Sequence, residues 1–234
     1  MLVQAIMKLS VIVPVLNEKR TIEAILHKVR TVDDGTTKEI IIVDGGSIDG
    51  TIEILRREEQ KADTRVIYQG AALGRGSALK EGMAAATGDV VIFQDADLEL
   101  DPAEYPQLLE PLKRGEADVV FGSRFLGGRP KMSPLQWLGN RLVTEAVNVV
   151  FGARLTDVET CYQVFRREAV NGLKLESNDF AFTVELTIKL VRAGHRIVEI
   201  PISYVPRGRN EGKKVRWRDG VAALWTIVKY RFRA

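Results

Sequence analysis

Val90-Val91-Ile92-Phe93-Gln94-Asp95-Ala96-Asp97-Leu98-Glu99 runs from β-favouring apolar residues into three carboxylates spaced two apart. In extended backbone, side chains at i, i+2 and i+4 share a face. The spacing therefore predicts Asp95, Asp97 and Glu99 together at the carboxyl end of a buried strand. Three carboxylates so gathered repel one another and resist losing water. A hard divalent cation resolves that conflict, and Mg²⁺ or Mn²⁺ takes oxygen ligands. Such an ion with open positions is what a diphosphate needs. The competing reading is a solvated acidic loop ahead of the helix that Pro102 opens.

Outward from this stretch the chain alternates. Strand-like runs lie at 9–15, 40–43, 65–68, 90–93 and 117–121, with helical patterns between them at 18–29, 51–57, 77–86 and 102–113. Asp49 is a candidate cap for the second helix, and Pro102 follows Asp101 at the start of the fourth. Continuous apolar strands alternating with helices predict an α/β fold, with a mostly parallel sheet covered on both faces. Beyond Gly122 the pattern loosens. Gly127-Gly128-Arg129-Pro130 marks a loop, and helices are expected at 135–151, 178–193 and 217–232. Short strands are expected at 161–165 and 196–200, and a basic loop at 207–214. No repeat or linker interrupts the chain, so the expectation is one domain over 7–234 after a short extension, 1–6.

Composition narrows the class. At 234 residues the chain can bury a substantial core, and 45% hydrophobic with 28% charged residues is ordinary for a globular protein. One cysteine, Cys161, excludes an internal disulfide framework and fits a reducing compartment. No apolar run is long enough to span a bilayer, and the first six residues lack a basic leader. These features lead us to expect a cytoplasmic chain. The net charge of +3 is lopsided, because residues 205–234 hold nine Lys/Arg against two acids while the rest of the chain is acidic. That basic end suits an anionic partner.

In open α/β sheets, ligands bind beyond the carboxyl ends of the strands. Polar and turn-forming residues collect at five such ends: Asn17-Glu18, Asp44-Gly45-Gly46-Ser47, Gly70 to Gly76, the carboxylates, and Gly122-Ser123-Arg124. Asp44 is placed to accept from a nucleobase or ribose, and the glycines permit close backbone approach. The segment Gly45 to Gly50 is neither a P-loop nor a Gly-x-Gly-x-x-Gly turn, which argues against a dinucleotide oxidoreductase. Cys161 lies among apolar neighbours and reads as packing; His27 and His195 read as structural.

Four segments in this order resemble family 2 inverting glycosyltransferases: Val13-Pro14-Val15-Leu16-Asn17-Glu18, Val43-Asp44-Gly45-Gly46-Ser47-Ile48-Asp49-Gly50-Thr51, Gly74-Arg75-Gly76-Ser77-Ala78-Leu79 and Asp95-Ala96-Asp97-Leu98. Gly122-Ser123-Arg124-Phe125, the stretch 157–165 and the basic loop point to the dolichyl- and polyprenyl-phosphate mannose/glucose synthase branch. The resemblance implies a GT-A, Rossmann-like fold and a nucleotide-sugar donor of the GDP-mannose or UDP-glucose type. Asp95, Asp97 and Glu99 would hold Mg²⁺ or Mn²⁺, with Asp97 and Arg124 catalytic. Pro14, Asn17, Glu18, Asp44, Gly46, Gly74, Asp95 and Ala96 would line the donor pocket. Arg124, Arg141, Arg207 and Lys213 are the candidates for a polyprenyl phosphate acceptor at a membrane surface. No nucleic acid and no obligate protein partner is implied. Gly45 stands where many relatives carry a second aspartate, which bears on base selectivity.

Other readings make different demands. A soluble hydroxyl acceptor needs a general base, for which Asp157 or Glu159 is the candidate. A sugar nucleotidyltransferase is expected to carry a Gly-rich basic loop where this chain reads Pro14-Val15-Leu16-Asn17-Glu18. A non-catalytic polyanion binder conflicts with the carboxylates, which repel it.

Overall fold

The computed structural model describes residues 6–128, 130–207 and 217–233. Seven strands form one sheet: β1 (Lys8–Val15), β2 (Thr37–Asp44), β3 (Thr64–Tyr68), β4 (Val90–Phe93), β5 (Val119–Ser123), β6 (Gln163–Arg166) and β7 (Ile197–Pro201), in the order β3-β2-β1-β4-β6-β5-β7. Six strands run the same way. Only β6 runs against them, pairing antiparallel with β4 on one side and β5 on the other. The expected mostly parallel α/β sheet is present, with one reversed strand that apolar patterning does not distinguish.

Both faces of the sheet are covered, which is why its central strands are apolar without alternation. On one face α1 (Ile22–Thr31), α2 (Thr51–Glu58) and α4 (Tyr105–Lys113) bring Ile22, Ile25, Leu55 and Leu108 against Val11, Val13 and Ile40. On the other, α3 (Arg75–Ala85), α5 (Pro134–Phe151), α6 (Ala181–Arg192) and α7 (Trp217–Phe232) pack Leu79, Val147, Leu186 and Ile227 against Ile12, Ile41 and Phe93. α3 lies flush on the sheet because Gly82 has no side chain there: a Cβ would sit 2.3 Å from Ile12 Cγ2.

Several element ends differ from the sequence reading. α1 begins at Ile22 rather than 18, because Glu18 opens a turn in which its carbonyl accepts from the Ile22 N–H at 3.0 Å. The stretch expected as a strand from 117 joins the ladder only at Val119. Asp49 is not the N-cap of α2; Gly50 is, at φ 96°, and Asp49 accepts from the Thr51 N–H at 3.0 Å and the Lys19 N–H at 3.1 Å. α5 opens with a capping box, Ser133 accepting from the Gln136 N–H, with Pro134 at its first position.

α7 is fastened to α6 by the buried Glu185, which accepts from Tyr230 Oη at 2.6 Å, Lys189 Nζ at 2.7 Å and two backbone N–H groups. Burial pushes that carboxyl up, but these donors outweigh it and hold it down at about 2. Opposite this seam α7 exposes Val221, Leu224, Trp225, Val228 and Phe232, and its neighbour α5 exposes Leu135, Leu138, Leu142 and Val149. Among the described residues, no helix is long and apolar enough to cross a membrane.

Candidate active site

The co-directional strands end on one rim, and β6 begins there because it is reversed. The rim therefore collects the loops after β1, β2, β3, β4, β5 and β7 together with the segment 157–162 that leads into β6. Pro14 lies near the end of β1, and Asn17 follows at φ 53°. Asn17 clips two loops together: its Oδ1 accepts from the Ile48 N–H and its N–H donates to Ser47 Oγ, both at 2.8 Å. Asp44 is buried at the end of β2 and accepts from the N–H groups of Gly46 and Ser47, at 3.0 and 3.1 Å. Gly46, at φ 84°, packs on the loop after β3; a Cβ would lie 3.1 Å from the Ala71 nitrogen. Gly74 is required by packing as well, since a Cβ there would meet the Asn178 carbonyl at 2.2 Å.

The carboxylates after β4 do not share a face as extended backbone predicts. The strand ends at Phe93, the chain then turns, and Leu98 adopts φ 62°. Gln94 is fully buried and accepts from the hydroxyls of Tyr105 and Tyr162, each at 2.8 Å, which fixes the root of the loop. From there the acids separate. Asp95 pairs with Arg75 at 2.8 Å, whereas Asp97 and Glu99 face Arg207 on the other side. Ala96 between them is buried. Burial and the charges of Asp95 and Glu99 hold the Asp97 carboxyl well above the usual carboxylate range, against the pull of Arg207.

Arg75 and Glu18 complete this half of the site. Arg75 is an almost wholly buried cation at the start of α3; the sequence reading passed over it, because an arginine opening a helix looks like any solvated one. Arg207 binds Glu18 at 2.9 Å and Asp97 at 2.8 Å, lies 3.7 Å from Glu99, and donates its own backbone N–H to Glu99 Oε1 at 2.9 Å. Cys161 sits beside Asp95; burial and that charge push its thiol far up, so it is no nucleophile.

Arg124 forms the other half. Its Nε and Nη2 take both oxygens of Asp157, at 2.7 and 2.8 Å, Nη2 also reaches Asn140 at 2.8 Å, and Tyr204 lies over its guanidinium at 5.4 Å. Asp157 is fully buried, and Glu199 on β7 accepts from its N–H at 3.0 Å, so Arg124 is fixed from behind. These bonds leave Nη1 as the guanidinium nitrogen with no partner among the described residues. Glu159 is a neighbour with no hydrogen bond or ion pair among the described residues. Burial, with lesser contributions from Asp157 and Asp219, pushes its carboxyl up to about 7 despite Arg124. Arg141 makes its own contacts beyond Phe125, which neighbours Arg124. It pairs with Glu145 at 3.0 Å and lines a hollow of about 330 Å³ with Phe125, Gly128 and Trp137. Lys213 lies outside the described residues.

Among the described residues, no three carboxylate, imidazole or thiol side chains already converge as a metal site. The donor chemistry nonetheless fits a hard cation. Glu18, Asp97 and Glu99 surround one positive charge, supplied here by Arg207, and Asp97 carries a carboxyl that its surroundings keep partly averse to ionisation. Asp95, expected in the metal set, is instead turned to Arg75.

A mostly parallel sheet with acidic and cationic groups gathered on its carboxyl rim is the architecture of a GT-A-like fold. The chain belongs to glycosyl transferase family 2, which matches residues 10–173. It is 31% identical over 89% of its length to glycosyltransferase AglD of Haloferax volcanii and 30% identical over 88% to a dolichol-phosphate mannosyltransferase of Pyrococcus furiosus. It spans only 35% and 59% of those proteins. An undecaprenyl-phosphate mannosyltransferase of Micrococcus luteus is 29% identical, with 96% of this chain and 99% of that protein covered. Among solved structures, glucosyl-3-phosphoglycerate synthase of Mycobacterium tuberculosis, crystallised with Mn²⁺, UDP and phosphoglyceric acid, superposes with a TM-score of 0.74 at 25% identity, covering 97% of this chain and 79% of that one.

Proposed function

We propose that residues 7–234 form one catalytic domain that moves a hexose from a nucleotide-sugar to a polyprenyl phosphate, with inversion at the anomeric carbon. The observation that carries this reading is the rigid Arg124, with Nη1 open, on the same rim as the Asp97 cluster. Arginine suits bidentate phosphate contact, and an acceptor phosphate is already an oxyanion, with a second pKa of about 6. It needs positioning and charge compensation rather than a base. Asp97, with Glu18 or Glu99 beside it, would hold Mg²⁺ or Mn²⁺, which would supply charge neutralisation for a departing nucleoside diphosphate. Pro14, Asn17, Asp44, Gly46, Gly74, Asp95 and Ala96 shape the donor pocket, Arg75 braces Asp95, and Arg207 adds positive charge toward the acceptor.

Two further observations support a lipid acceptor. The mannosyltransferases of Pyrococcus and Micrococcus are named for dolichol phosphate and undecaprenyl phosphate. The apolar faces of α5 and α7, flanked by arginines and lysines, suit a peripheral position on a membrane. A second reading, transfer to a soluble hydroxyl, draws on Glu159 as the remaining base candidate, because Asp157 is engaged by Arg124.

The deciding assay is a panel of GDP- and UDP-sugars against a short-chain polyprenyl phosphate and against phosphoglyceric acid, with and without Mn²⁺ or Mg²⁺. We expect metal-dependent transfer to the lipid phosphate, abolished in Asp97→Ala while circular dichroism shows the fold retained. Full activity of that variant without metal, or turnover confined to phosphoglyceric acid, overturns the assignment.

A further inference from the structure

We infer that Arg207 is a placeholder for the catalytic cation: it keeps Glu18, Asp97 and Glu99 together until the metal displaces it, and only then is it available to the acceptor phosphate. The inference rests on the metal-dependent reading above and adds to it an order of events.

The guanidinium sits among three carboxylates, bonded to Glu18 at 2.9 Å and Asp97 at 2.8 Å and 3.7 Å from Glu99. Without it these acids face one another in a poorly hydrated pocket and repel. The oxygens are also committed. Asp97 Oδ1 accepts from the Glu99 N–H at 3.1 Å, and Oδ2 is held by Arg207. Glu99 Oε2 accepts from Tyr204 Oη at 2.9 Å, and Oε1 from the Arg207 N–H at 2.9 Å. A divalent ion that ligates Asp97 Oδ2 must take it from the Arg207 guanidinium, since two cations cannot share it without strong repulsion, and one that ligates Glu99 Oε1 must take it from the Arg207 N–H.

Displacement has a defined destination. The segment 204–207 is tied to the carboxylates through Glu99, which also accepts from the Val205 N–H through its carbonyl at 3.0 Å, and to the Arg124 wall through Tyr204. Freed at one end, Arg207 stays on the short segment whose Tyr204 ring lies over Arg124, from which its charge can add to the acceptor station. Acceptor binding is thereby coupled to occupation of the metal site.

The test measures Mn²⁺ binding by the loss of the free-ion EPR signal, with Mn²⁺ alone and with UDP or GDP, for the parent chain, Arg207→Ala, Arg207→Lys and Asp97→Asn. Hydrogen exchange of a peptide covering 203–207 is followed in the parent chain as Mn²⁺ is added, so the test stands even if a variant fails to fold. We expect Arg207→Ala to bind Mn²⁺ about tenfold more tightly or better, with Arg207→Lys between it and the parent. Exchange at the Arg207 N–H should accelerate on adding Mn²⁺, and inorganic phosphate should bind the parent measurably only when Mn²⁺ is present. Unchanged Mn²⁺ affinity in Arg207→Ala, or exchange at 203–207 that Mn²⁺ does not alter, overturns the placeholder role while leaving the metal reading intact. Mn²⁺ binding indifferent to Asp97→Asn removes the metal reading and this inference together.

Discussion

The Glu159 carboxyl is pushed up to about 7 because it is largely desolvated with no hydrogen-bond partner among the described residues, next to Asp157 and Asp219, with only Arg124 opposing. An unfolded glutamate releases its proton near 4.5. Between these values the folded chain binds more protons than the unfolded one, so raising the pH removes stability until about pH 7, after which this group contributes no further slope. Glu159→Gln should abolish that slope and be more stable than the parent at pH 8 by on the order of 1–2 kcal/mol, with little difference at pH 4.5. Urea unfolding at both pH values decides it; an unchanged slope in the variant refutes the assignment. At this scale the sequence was informative about which residues reach the rim and uninformative about what they touch. Asp95 and Asp97 are both there, but the strand ends at Phe93 and the chain turns at once, so the two acids go to different arginines, and side-chain spacing carries no signal for such a turn. Arg75 escaped notice because its burial depends on the loops stacked over it.

Elements were legible where period and burial agree. α7 has the ends its amphipathic pattern predicts, and β4 begins and ends where its apolar run does. The direction of β6 was not legible, since a four-residue run with two apolar positions looks the same whichever way it runs; direction is set by the long connection through α5, a tertiary matter. Glycine positions carry more than the pattern suggests. Gly82 sits inside α3, where alanine would improve helix propensity by about 1 kcal/mol. Its Cβ, however, would press on Ile12 at 2.3 Å, and overpacking of that kind costs about 1–3 kcal/mol. Gly82→Ala should therefore lower Tm by roughly 2–6 °C, read by differential scanning calorimetry. A rise in Tm would mean that α3 shifts freely on the sheet.

For the whole molecule, the uneven charge and the exposed apolar faces of α5 and α7 belong together. Trp225 is 67% exposed and Phe232 83% exposed, beside Arg218 and Arg231 on the same helix. Aromatic and aliphatic side chains bordered by arginine suit the headgroup boundary of a bilayer. Replacing both Trp225 and Phe232 by Gln should reduce cosedimentation with anionic vesicles by about tenfold or more, while transfer to a water-soluble short-chain lipid phosphate persists. Equal cosedimentation of parent and variant would leave that face without a lipid role. β6 has a consequence of its own. It is the shim between the half of the sheet that presents Asp97 and the half that presents Arg124, joined by three register pairs on each side. A slip of one residue in that short ladder would shift Arg124 along the strand direction relative to Asp97 by about 3.3 Å. The relative placement of these two charged groups thus depends on the hydrogen-bond register of Gln163–Arg166.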